Sequence, residues 1–136
     1  MIGVTYVVWM DGWQLQCCGD AFAVGDRVTW SLREASDTTW LEAALGPDRA
    51  RSVTHDEDHH TDGPDSTAST RGRVTSIERG YCRYAPTSQD PRVLMPVPGT
   101  ALIDRVSRAD GWEPEVDGRM FNGYLITLDV DPAALG

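Results

Sequence analysis

Alternation of apolar and polar residues with a period of two is the feature that most limits the fold of this chain. In residues 27–33, Val28, Trp30 and Leu32 are separated by polar side chains. Such alternation is typical of a strand with one buried face. The same pattern returns in residues 124–130, and 13 Gly and eight Pro supply turns between short segments. We therefore predict a mainly β fold.

The dipeptide Asp11-Gly12 lies between two runs that contain apolar residues, and it favours a two-residue type I′ hairpin. In the register of such a turn, Trp9 faces Gln14, and Gln16 follows on the same side of the sheet. This side mixes apolar and polar residues, which leaves Trp9 exposed. Because exposed aromatic side chains often mark interaction surfaces, we interpret Trp9, Gln14 and Gln16 as candidate binding residues.

The predicted order of elements is three strands, one helix and three further strands. Thr39 and Glu42 have the spacing of a capping box, and Gly46-Pro47 are stop signals, so one short helix is expected after the third strand. This order is that of an OB-type barrel, whereas residues 24–28 look like a strand entry of SH3-like barrels. We predict a small, partly open β-barrel of about six strands, OB-like or SH3-like.

Residues 48–70 are almost free of apolar side chains and rich in Asp, Thr, Ser, Gly and Pro. A loop of this length is uncommon in a compact domain and tends to be functional or disordered. We therefore predict a long acidic loop over residues 48–70, which we expect to be mobile, within a single domain of residues 1–136.

The charge and the apolar runs disfavour two classes of partner. The formal net charge is −9, with 12 basic residues that are all Arg, and this balance repels a phosphate backbone, so we do not expect nucleic-acid binding. The longest apolar run, residues 6–10, is far too short to cross a bilayer. No basic region followed by an apolar segment and a cleavage site is visible. We expect a cytoplasmic protein.

All cysteine and histidine residues of the chain fall between positions 17 and 82. Their spacing matches no common zinc motif. Neighbouring residues on a strand point to opposite faces, so at most one of two adjacent cysteines joins a given site. The conceivable zinc ligands are Cys18, His59, His60 and Cys82, completed by an acid from residues 56–58. The alternative is a solvated acidic loop that carries the histidines, with a buried Cys17, an incidental Cys18 and a core Cys82, and for this reason we expect no cofactor.

The same four residues supply the parts of a small hydrolase. Cys18 or Cys82 would be the nucleophile and His59 or His60 the base. No Gly-x-Ser-x-Gly elbow, phosphate loop or dinucleotide motif accompanies them. We therefore predict no catalytic residues and favour a binding module over an enzyme. Its partner would be another protein or a second copy in a homodimer.

Several segments together resemble a family of short actinobacterial proteins of unknown function. The resemblance covers nearly the whole chain, and the segments that carry it are residues 13–19, 22–30, 58–60, 82–85 and 110–113. It implies a bacterial, cytoplasmic setting, and it brings no activity and no ligand residues with it.

Overall fold

The computed structural model describes residues 3–35, 38–57 and 69–132. Short strands dominate these ranges, and three short helices accompany them. The strands are β1 (Val4–Asp11), β2 (Phe22–Ala23), β3 (Arg27–Glu34), β4 (His55–Glu57), β5 (Ser69–Cys82), β6 (Tyr84–Pro86), β7 (Leu94–Pro96), β8 (Leu102–Val106), β9 (Arg108–Ala109) and β10 (Met120–Val130). The helices are α1 (Gly12–Cys18), α2 (Thr39–Leu45) and α3 (Pro47–Ser52).

Five strands close a barrel. The main sheet has the order β10-β1-β4-β3-β5-β8, and β5 also pairs with β10, which joins the two sides. β5 can do this because it is 14 residues long. One of its edges pairs with β10, and the other pairs with β3 in its first half and with β8 in its second. The predicted mainly β small barrel is confirmed, but it is closed and not partly open: the ring consists of β10, β1, β4, β3 and β5, and β8 extends the sheet from β5.

The hairpin predicted at Asp11-Gly12 is wrong. β1 ends at Asp11, which has φ −62° and ψ 134°, whereas a type I′ turn needs a positive φ at both central residues. Gly12 instead begins α1. Both edges of β1 are already paired, one with β10 and the other with β4, so the residues after Gly12 have no edge to join. A side chain at Gly12 would overlap the ring of Phe121, which explains why glycine suits this junction.

The short helix predicted after the third strand is confirmed as α2, but the predicted acidic loop contains a second helix and strand residues. Gly46 ends α2 with a φ of 89°, and Pro47 then opens α3, because a proline at the first helical position loses no hydrogen bond. The prediction of a loop is therefore wrong for residues 48–52, 55–57 and 69–70, which lie in α3, β4 and β5. Residues 58–68 lie outside the described ranges.

Apolar side chains pack on both faces of β1. Val8 and Met10 face the barrel interior and are fully buried, while Trp9 faces outward and is 4% exposed. α2 and α3 cover this outer face with a second apolar cluster: Leu41, Ala44, Leu45, Ala50 and Val53 join Trp9, Cys82 and Leu125. No helix in the described part of the chain is long and apolar enough to cross a membrane.

A polar network fastens β8 and the segment before β10 to the barrel. Arg79 on β5 donates two hydrogen bonds to Asp104, at 2.7 and 2.6 Å, and a third to Glu113 at 3.1 Å. The Tyr124 hydroxyl donates to the other Glu113 oxygen at 3.1 Å and accepts from the Gly111 amide at 3.0 Å. The Arg79 guanidinium holds the pKa of Asp104 below its ordinary value.

Candidate functional site

The strand register places three side chains of different chemistry in one row. Trp9 on β1 is the partner of Asp56 on β4, and Asp56 is the partner of Arg33 on β3. Partners on adjacent strands share a face of the sheet. Asp11 lies two residues after Trp9 and therefore faces the same way. An indole, two carboxylates and a guanidinium meet on the outside of the barrel.

A cavity of about 220 Å³ opens over this row, and we call it the acidic pocket. Its lining residues are Trp9, Asp11, Gln14, Arg33, Trp40, Leu41, Asp56 and Glu57. The Trp9 indole nitrogen donates a hydrogen bond to Asp11 Oδ1 at 2.9 Å. The rings of Trp9 and Trp40 lie 6.2 Å apart, inclined at 52°. Both indoles and the carboxylates thus surround one space.

Gln14 connects α1 to the acids of the pocket. Its side chain is 7% exposed and that of Glu57 is 4% exposed. In one orientation of the amide, the nitrogen donates to Asp11 Oδ2 at 3.4 Å. In the reversed orientation it donates to the carbonyl oxygen and Oε2 of Glu57, at 3.2 and 3.3 Å. In both orientations the amide bonds to an acidic residue.

Burial changes the acidity of two carboxyl groups in the pocket. It raises the pKa of Asp11, against the hydrogen bond from Trp9 and the charge of Arg33. It also raises the pKa of Asp56, again against Arg33. A carboxylate that water solvates poorly is stabilised by a cation brought close to it. Carboxyl groups with a perturbed pKa in a cleft are typical of functional sites.

A second cavity, of about 310 Å³, adjoins the first and shares Asp11 and Trp40 with it. We call it the Asn122 pocket, and its lining residues are Asp11, Gly12, Trp13, Gln16, Trp40, Tyr84, Phe121 and Asn122. A β-bulge in β10 between Phe121 and Gly123 turns Asn122 toward it. Asn122 accepts a hydrogen bond from the Tyr84 hydroxyl and donates one to Cys82 Sγ at 3.1 Å.

The structure brings the three predicted binding residues to these cavities by a different route. Trp9 and Gln14 line the acidic pocket, and Gln16 lines the Asn122 pocket. Trp9 and Gln14 share a cavity because α1 begins directly after β1, whereas the prediction paired them in a hairpin. The prediction that Trp9 is exposed is wrong, because α2 covers it. Gln16 donates to the Gly111 carbonyl at 2.5 Å, which fastens α1 to the segment before β10.

Comparison with protein families assigns the chain to a family. DUF6578, a family of unknown function, matches residues 4–130. The chain belongs to this family. No curated protein and no solved structure matches it. The predicted resemblance to a family of unknown function is confirmed, while the actinobacterial origin stays a prediction.

The predicted zinc ligands of this DUF6578 member are only partly described. Cys82 is fully buried, and burial raises the pKa of its thiol, which is typical of an unreactive structural cysteine. Cys18 ends α1, and its side chain lies outside the described atoms, as do His59 and His60. Among the residues that are described, no group of three or more Cys, His, Asp or Glu is arranged to hold a metal. The zinc and hydrolase alternatives stay predictions.

Sequence reasoning missed several pocket residues of this family member. Asp11 was assigned to a turn, although its spacing of two from Trp9 on a strand predicts a shared face. Asp56 and Glu57 were assigned to the acidic loop. Residues 53–57 contain one apolar residue, Val53, so the sequence shows no alternating pattern that could have found β4.

Proposed function

We propose that the protein is a binding module whose acidic pocket holds a basic side chain of a protein partner. The observation that supports this most directly is the composition of the pocket wall. Three of its eight lining residues are acidic, namely Asp11, Asp56 and Glu57, while Arg33 is the one basic residue among them. Two indoles, Gln14 and Leu41 complete the wall.

Each part of the wall suits an ammonium or guanidinium group. Carboxylates form charge-assisted hydrogen bonds with such cations. Indole rings attract a cation placed over their faces. Partial burial strengthens both interactions, because the effective dielectric constant is lower than in water. An anionic ligand would instead meet the acidic excess of the pocket, so a basic side chain is the favoured occupant.

N-acetyl-lysine amide and N-acetyl-arginine amide are expected to bind with a Kd on the order of 1 mM, a typical strength for one ionic anchor. Neutral N-acetyl-glutamine amide should not bind. The change Asp56→Asn removes one charged acceptor and should weaken binding about tenfold. Isothermal titration calorimetry measures the affinity of the protein for all three probes.

Asp48→Asn is the matched control, because it changes the net charge equally at an α3 side chain that is 97% exposed. Its affinity for the lysine probe should equal that of the unmodified protein. If both variants weaken binding equally, the effect comes from the overall charge and not from the pocket. Binding of the glutamine probe would also contradict the proposal.

Binding of the lysine probe should weaken as the pH falls from neutral to about 4. The cation favours the ionised carboxyl groups, and the pKa values of Asp11 and Asp56 are raised above the ordinary 3.8. Affinity is therefore full well above these raised values and is lost as the pH falls through them. Binding in this range must release protons. Calorimetry in two buffers of different ionisation enthalpy measures that release, and no release near pH 4 would contradict the assignment.

A further inference from the structure

We infer that the basic side chain belongs to an extended peptide segment, which places an apolar side chain, two residues away, in the adjoining Asn122 pocket. This inference rests on the proposed function, since it takes the acidic pocket as the site of the basic residue. It adds the class of partner and the pattern that the partner must carry.

The adjacency of the two cavities fits this pattern. They have volumes of about 220 and 310 Å³ and share Asp11 and Trp40 in their walls. Side chains two residues apart on an extended segment lie on the same side, about 7 Å apart, so they can enter two cavities that share wall residues. Adjacent residues would point in opposite directions, so a separation of two is required.

The chemistry of the Asn122 pocket fits an apolar occupant. Rings of Trp13, Trp40 and Phe121 form part of its wall. Most polar groups of the lining are engaged within the protein: Asn122 bonds to the Tyr84 hydroxyl and to the Cys82 sulfur, and Gln16 donates to a backbone carbonyl. An incoming apolar side chain can contact the aromatic side chains of Trp13, Trp40 and Phe121.

The exposure of Trp13 supports a peptide or protein as the occupant. Its side chain is 56% exposed where it lines the Asn122 pocket. Tryptophan is enriched among the residues that contribute most to the binding energy of interfaces. The net charge of −9 of the chain complements a partner that presents a basic residue at this surface.

Short peptides test the pattern, with the two side chains placed in either order because the direction of the bound segment is not fixed. Acetyl-Lys-Gly-Leu-amide and acetyl-Leu-Gly-Lys-amide carry both side chains, while acetyl-Lys-Gly-Gly-amide carries only the basic one. One of the two peptides that contain leucine should bind about tenfold more tightly than acetyl-Lys-Gly-Gly-amide, since burying a leucine side chain is strongly favourable. Calorimetry gives the three affinities.

The variant Trp13→Ala tests whether the leucine side chain binds in the Asn122 pocket. In this variant the tenfold gain should disappear, while acetyl-Lys-Gly-Gly-amide binds as before, which shows that the acidic pocket is intact. Trp112→Ala is the matched control, because Trp112 is 69% exposed and lines neither cavity. It should leave the tenfold gain unchanged.

The outcomes separate the two proposals. If acetyl-Lys-Gly-Gly-amide does not bind at all, the proposed function itself fails. If it binds but neither leucine peptide gains affinity, the function stands and the pattern of two cavities is overturned. A gain that survives Trp13→Ala, or one that Trp112→Ala removes, places the leucine elsewhere and also overturns the inference.

Discussion

Gly123→Ala is expected to destabilise the fold by about 3 kcal/mol, at the upper end for added volume in a packed region. A Cβ at this position would overlap the carbonyl oxygen of Met10 and lie 2.9 Å from the Trp9 ring. The backbone of β1 therefore has to move away from β10, where the barrel closes. Gly80, the cross-strand partner of Gly123, likewise leaves room for the side chain of Leu45. Urea denaturation measures the loss.

Gly99→Ala is the control for the loss of glycine itself. Gly99 has a φ of 83°, and a Cβ there would meet no atom within 4 Å. Its replacement should cost about 1 kcal/mol, from the left-handed backbone alone. Equal losses in the two variants would show that close packing of β1 against β10 is not the reason for Gly123.

Arg79→Met is expected to lower the free energy of unfolding by about 2 kcal/mol. This is less than the loss when one partner of a fully buried ion pair is removed, because Asp104 is 43% exposed. The change leaves Glu113, which is 14% exposed, without the guanidinium that it pairs with. Adding Glu113→Gln should recover part of the loss, because the double variant no longer buries an uncompensated charge. Arg27→Met removes an exposed pair with Asp131 and should cost less than about 1 kcal/mol.

The difference in the free energy of unfolding between Arg79→Met and the unmodified protein should depend on pH. Arg79 lowers the pKa of Asp104 below the ordinary 3.8, so this pair stabilises the fold above that value. The stabilisation is lost as the pH falls through the lowered pKa. Urea denaturation at a series of pH values should show the difference shrink on acidification. A difference that stays constant would mean that the methionine acts through packing alone.

The strands were predictable where a single segment carries its own pattern. β3 follows the alternation of residues 27–33, and β10 includes the alternation of residues 124–130. Burial of one face imposes a period of two on such strands, whatever their partners are. The class of the fold could be predicted from sequence for this reason.

The hairpin was not predictable from its turn residues, because the competing partner is far away in the chain. Asp11-Gly12 has the chemistry of a type I′ turn, but β1 pairs along its whole length with residues 123–130 of β10. A local turn signal contains no information about that pairing. The acid of the dipeptide accepts a hydrogen bond from Trp9 instead of shaping a turn.

The candidate site depends on registers that cross three strands. The spacing of Trp9 and Asp11 could be read from sequence, but the positions of Arg33 and Asp56 beside Trp9 follow only from how β1, β4 and β3 pair. β4 has three residues and lies in a segment that composition assigns to a loop. Short strands of this kind are stabilised by their neighbours and carry almost no signal of their own.

Indole resonances of ¹⁵N-labelled protein test the acidic pocket most directly. Trp9 donates its indole N–H to Asp11 and, with Trp40, lines the pocket, while Trp30 and Trp112 line neither cavity. Titration with N-acetyl-lysine amide is expected to shift the Trp9 and Trp40 indole signals progressively and to leave those of Trp30 and Trp112 in place. Unmoved Trp9 and Trp40 signals, with or without shifts of the other two, would contradict a basic side chain in this pocket.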